Sequence, residues 1–140
     1  MKKLHLLIGF VTLAAFLASG MYMRLHNPPV RALPDGTHML FTSRHIYILG
    51  AALVHLVLGA YVAPMTSRAG RVTQMLGSVL LSIAPVLLIA AFLIEPGVGL
   101  PRTRYSQLGL YALFAGSLLH VVAALLSRSA PSVRDVSQTY

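Results

Sequence analysis

Hydrophobic residues along this chain gather into four long blocks, separated by polar breaks rich in proline and glycine. The blocks run about 4–23, 46–63, 72–94 and 105–127, and the last three carry no charged side chain. Each has roughly the 17–25 residues that a helix needs to cross ~30 Å of hydrocarbon. A backbone in lipid has no water to bond, so spans of this length are expected to be helices. The breaks agree: Ala63-Pro64 closes the second block, Glu95-Pro96-Gly97 the third, and Ala130-Pro131 follows the fourth. Proline and the residue before it resist continuing a helix. The second and third connections are short, which makes consecutive helices antiparallel neighbours. The expected fold class is therefore all-α, a four-helix up-down transmembrane bundle forming one domain over residues 1–128.

Two stretches fall outside the spans. Residues 24–44 hold Asn27-Pro28-Pro29 and Leu33-Pro34-Asp35-Gly36, turn signals that predict an ordered loop. Residues 129–140 are expected to be a polar tail. The start of the chain has a rival reading, since Lys2-Lys3, an apolar run and Ala18-Ser19-Gly20 resemble a secretory signal with its cleavage site. The apolar run is long for a signal, and retention as the first helix is the expectation.

Composition makes the membrane assignment firm. Of 140 residues, 56% are hydrophobic and 10% charged, against roughly 25% charged in a soluble domain. The net charge of +8 reads as loop charge beside a bilayer, not as a nucleic-acid surface. The termini and the middle loop carry six of the eleven basic residues and the other face five, which favours cytoplasmic termini. The absence of cysteine excludes disulfides, thiolate metal sites and cysteine nucleophiles.

The three acids, Asp35, Glu95 and Asp135, all fall at helix ends, in loops or in the tail. Proton-coupled transporters and pumps usually keep a carboxylate at mid-membrane, and paired-carboxylate or Ser-His-Asp chemistry needs an acid this chain does not place. The chain is read as leaning away from enzymatic activity.

Three residue sets carry candidate chemistry. His55 and His120 sit at similar depths in the second and fourth spans, on faces lined by small residues four apart: Ala51, Gly59 and Ala63, and Ala112, Gly116 and Ala124. One reading is a b-type haem with both imidazoles as axial ligands and Gly59 and Gly116 making room for the porphyrin. The other is a pair of buried histidines hydrogen-bonded across the bundle to Ser78, Ser82 or a carbonyl. The second set, Met21, Met23, His26, His38 and Met39, offers the soft thioether and imidazole donors that suit copper(I), if the first loop folds back on itself. The third set, Arg44, His45, Glu95 and Arg104, is expected as a partly exposed ion-pair belt at one interface, with Glu95 pairing Arg44 or Arg104. Gln74, Ser78 and Ser82 form a four-spaced polar stripe before Pro85, a packing face whose Ser82 is expected to satisfy backbone freed by the proline. The function expected from these features is a non-enzymatic accessory or assembly subunit, partnered by the lipid bilayer and by another membrane protein or a second copy. A haem protein and, third, a copper-handling protein are the alternatives.

Overall fold

The computed structural model describes residues 1–65, 67–98 and 103–128, and over them the chain is all-helical. It runs α1 (Lys2–Leu25), a 3-10 turn (Val30–Ala32), α2 (Asp35–Tyr61), α3 (Arg68–Val98) and α4 (Arg104–Arg128). All four helices are long and apolar enough to cross a membrane. The tail from residue 129 onward, and Arg102, lie outside the described residues.

Helix α2 begins eleven residues earlier than its apolar block, so most of the expected loop is helix. Pro34 precedes the first turn and Asp35 lies in it, where a carboxylate meets the positive end of the helix dipole. The buried positions Leu40, Phe41, Arg44, Ile48, Ala51, Ala52, His55 and Gly59 recur every three or four residues, one continuous stripe. Polar residues between them are accommodated locally: Thr42 Oγ1 donates to the His38 carbonyl at 3.0 Å and Ser43 Oγ to that of Met39 at 2.8 Å. His55 therefore sits in the last third of α2. At the other end of the fold, α3 continues through Pro96 instead of stopping before it.

Consecutive helices pack antiparallel, and two glycine-based crossings set their spacing. At Gly59 an added Cβ would stand 2.8 Å from the Leu6 backbone nitrogen, so α1 and α2 nearly touch main chain to main chain. Gly77 and Gly116 face each other, each added Cβ falling 2.9 Å from the other's carbonyl oxygen. Small residues thus bring α1 to α2 and α3 to α4, as close packing in lipid requires. A core of Ile48, Ala51, Leu81, Ala84, Leu88 and Phe92 fills the centre. The outside is apolar: Phe10, Leu17, Leu93, Tyr111 and Phe114 are all more than 60% exposed. Such a surface is costly in water and neutral against acyl chains.

Candidate functional site

The polar interior lies in two layers. The first joins all four helices. His5 of α1 and His55 of α2 meet Nδ1 to Nδ1 at 3.0 Å, and His5 Nε2 lies 3.1 Å from Ser78 Oγ of α3. Ser78 Oγ in turn lies 3.2 Å from His120 Nε2 of α4. His55 Nε2 closes the chain on the Leu81 carbonyl at 3.0 Å. His5 and His55 are fully buried, and Ser78 and His120 nearly so.

The sequence explains the last of these bonds. Pro85 has no N–H, so the carbonyl four residues earlier, that of Leu81, lacks its helical donor. His55 supplies one. Ser82, expected in that role, instead donates to the Ser78 carbonyl at 2.8 Å.

With the rings neutral, the bonds admit one set of tautomers. A carbonyl only accepts, so His55 carries its proton on Nε2 and accepts at Nδ1. His5 must then donate from Nδ1 and accept at Nε2. Ser78 donates to His5 and accepts from His120 Nε2–H. Met1 Sδ, 3.6 Å from the Ser78 hydroxyl, is the more distant rival for that hydrogen. Donors therefore point one way, from His120 through Ser78, His5 and His55 to Leu81. The chain ends on a backbone carbonyl that cannot pass a proton on, so this arrangement holds the helices in register and does not form a through-membrane path. His120 reaches an apolar groove of about 480 Å³ between α2 and α4, and its Nδ1 has no hydrogen-bond partner among the described residues.

The second layer lies at the opposite end. Arg44 Nε donates to Glu95 Oε2 at 2.8 Å, Arg44 Nη2 to Ser106 Oγ at 3.2 Å, and the Ser106 backbone N–H to Glu95 Oε1 at 2.9 Å. Their side chains are only 8% and 1% exposed, so the expected partly exposed belt is a buried pair tying α2, α3 and α4. Arg104 is exposed, outside the pair. His45 turns the other way: its ring stacks on Phe16 of α1 at 4.1 Å, and its Nδ1 lies 2.8 Å from Ser19 Oγ.

The structure brings His55 and His120 to one layer, with His5 and Ser78 linking them. Gly59 and Gly116, read as room for a porphyrin, are covered by Leu6 and Leu81. Of the five copper candidates, Met23 and His38 line one cavity of about 460 Å³, shared with Arg24 and Arg31. Met21 and Met39 are exposed, and His26 Nδ1 donates to the Pro28 carbonyl at 2.7 Å. Among the described residues no group of three or more His, Cys, Asp or Glu is disposed to hold a metal ion.

His5 is the functional-layer residue that sequence reasoning missed. It lies beside Lys2-Lys3 and reads as the polar flank of the first span. The signal was the run of buried small and polar positions His5, Gly9, Thr12 and Ser19, spaced by helical turns. No family model, curated protein or solved structure matches this chain.

Proposed function

We propose that this chain is a small, non-enzymatic accessory or assembly subunit of a larger membrane complex. The observation that carries the reading is the closure of its polar interior. Among the described residues every side-chain nitrogen and oxygen sealed from the surface has a partner within the chain, His120 Nδ1 facing the α2–α4 groove instead, and Glu95 is committed to Arg44 and Ser106. Among the described residues the only carboxylate besides Glu95 is Asp35, exposed at the start of α2 and away from the buried layers, and no metal-ligand group is assembled, whereas the outer surface is an apolar helix face suited to lipid and to neighbouring spans.

The test is photo-crosslinking in native membranes, with the reactive group at Val57 or Val121 in the α2–α4 groove and, as reference, at Leu17 on α1. A crosslink to one stoichiometric partner, a different protein or a second copy, is the expected result. A chain that stays uncrosslinked at all three positions and runs as a lone monomer overturns the proposal.

Haem ligation by His55 and His120 is the competing reading, supported by their shared layer. It requires His55 to exchange the Leu81 carbonyl or His5 for iron, and His5 and Ser78 to leave the space between the rings. Copper would have to share a cavity with Arg24 and Arg31, whose charges repel it. A visible spectrum after haem-replete expression decides for haem: a Soret band lost in both His55→Ala and His120→Ala would replace the subunit proposal with a haem protein.

A further inference from the structure

The end of the bundle that holds the start of α1 also holds the end of α2 and the start of α3. Lys2, Lys3 and Arg71 line a cavity of about 510 Å³ there, walled by Pro64 and Met65. Gln74, buried at its base, fixes the wall by donating from Nε2 to the Ala63 carbonyl at 2.9 Å. The two described acids, Asp35 and Glu95, begin α2 and nearly end α3, at the opposite end of the bundle. The basic mouth is thus uncompensated among the described residues.

An apolar groove of about 590 Å³ adjoins this mouth at Met1, which lines both, and runs from the start of α1 along the outer face of α3. Leu4 lines it on α1, and Met75, Val79, Ile83 and Val86 line it on α3. From residue 75 to 86 a helix rises about 16 Å, close to the ~15 Å of one leaflet's hydrocarbon. A cationic mouth at headgroup level above an apolar groove one leaflet deep has the two-part chemistry of a phospholipid.

We propose that this seam binds one anionic phospholipid, its phosphodiester held by Lys2, Lys3 and Arg71 and one acyl chain lying in the α1–α3 groove. Basic pockets between spans are suited to such headgroups. A zwitterionic lipid brings a cation of its own to the same three charges and is disfavoured.

The experiment is native mass spectrometry of the full chain, delipidated in mild detergent and offered phosphatidylglycerol or phosphatidylcholine with the same acyl chains. Wild type should retain one phosphatidylglycerol and bind phosphatidylcholine at least tenfold more weakly. Each removed charge should weaken retention about fivefold, so the K2Q/K3Q/R71Q variant should lose it by about a hundredfold. Val79→Trp, which fills the groove and leaves the charges, should also lose the lipid. R31Q/R104Q, at the other end, should bind as wild type does. Circular dichroism confirms that each variant retains its helices. The proposal is overturned if the triple variant or Val79→Trp retains the lipid, if the two lipids bind equally, or if the distal variant loses it as well. Displacement of the lipid by excess inorganic phosphate, which would show a bare anion site without need of the acyl chain, overturns it too.

Discussion

Replacing Glu95 by glutamine separates charge from shape in the buried layer. The amide keeps the volume of the carboxylate, and its oxygen can still accept from the Ser106 N–H that now lies 2.9 Å away. What disappears is the counter-charge for Arg44, whose Nε stands 2.8 Å from Glu95 Oε2 with both side chains under a tenth exposed. Two unit charges about 4 Å apart attract by about 4 kcal/mol at an effective dielectric constant of ~20. Removing one partner of a buried pair costs about 3–5 kcal/mol, since the survivor stays desolvated and uncompensated. For a chain of this length that corresponds to a fall of about 10 °C or more in melting midpoint. Circular dichroism of the purified protein in mild detergent reads the midpoint directly. The double variant Arg44→Met with Glu95→Leu should recover most of the loss, because a buried ion pair is often replaced by packed apolar groups without net cost. A Glu95→Gln protein that melts with wild type would refute the argument. So would an equal loss in Arg104→Gln, whose side chain is exposed and stands outside the pair.

The other expectations concern the crossings and the histidine layer. Gly116→Val and Gly77→Val should each destabilise the bundle by about 1–3 kcal/mol in the same melt, because each new Cβ meets a carbonyl oxygen at 2.9 Å. Gly50→Ala, with nothing within 4 Å, should leave the midpoint in place, and equal losses at Gly50 and Gly116 would sink the close-crossing argument. Nitrogen-15 spectra of labelled histidine should show His5 protonated at Nδ1 and both His55 and His120 at Nε2. His5 protonated at Nε2 instead would break the directed chain. Ser78→Ala removes the bonds to both His5 and His120 and should cost about 1.2 kcal/mol and no more than about 3.4, twice the average and twice the maximum for one hydrogen bond between membrane helices.

The four spans were legible because bilayer thickness fixes the length of an apolar run, and each predicted block lies within its helix except for the last two residues of the second. The start of α2 was not, because Asp35-Gly36 reads as a turn and Thr37, His38, Thr42 and Ser43 interrupt the apolar pattern. Their cost is met within the helix: the Thr42 and Ser43 hydroxyls bond carbonyls one turn back, a local solution that hydropathy does not register. Glu95 was legible as a partner of Arg44 but not as a buried one. Burial depends on Ser106 presenting its backbone N–H at the start of α4, a contact eleven residues away that no spacing rule supplies. His55 and His120 were legible as interior residues from their small-residue faces. Their real linker, His5, was hidden by the two lysines beside it.

Lipid gives packed helices little hydrophobic reason to prefer one another over acyl chains, so association must come from close packing and polar bonds. This bundle places those terms in distinct positions. Gly59 and the Gly77–Gly116 contact bring the helices together in two antiparallel pairs, α1 with α2 and α3 with α4. Close crossings of small residues alone would allow each pair to slide by a turn past the other. The Arg44–Glu95–Ser106 layer fixes α2 against α3 and α4 at one end, while His55 on Leu81 and His120 on Ser78 fix the same three helices toward the other. Two separated layers determine both position and tilt, which one cannot. Helix α1 is absent from the ion-pair layer; His5 holds it to α2 and α3, and Ser19 on His45 gives it a second hold on α2. Among the described residues the polar hold between helices α1 and α3 is the His5–Ser78 bond, so the rest of the α1–α3 seam rests on apolar contacts that a lipid chain can replace.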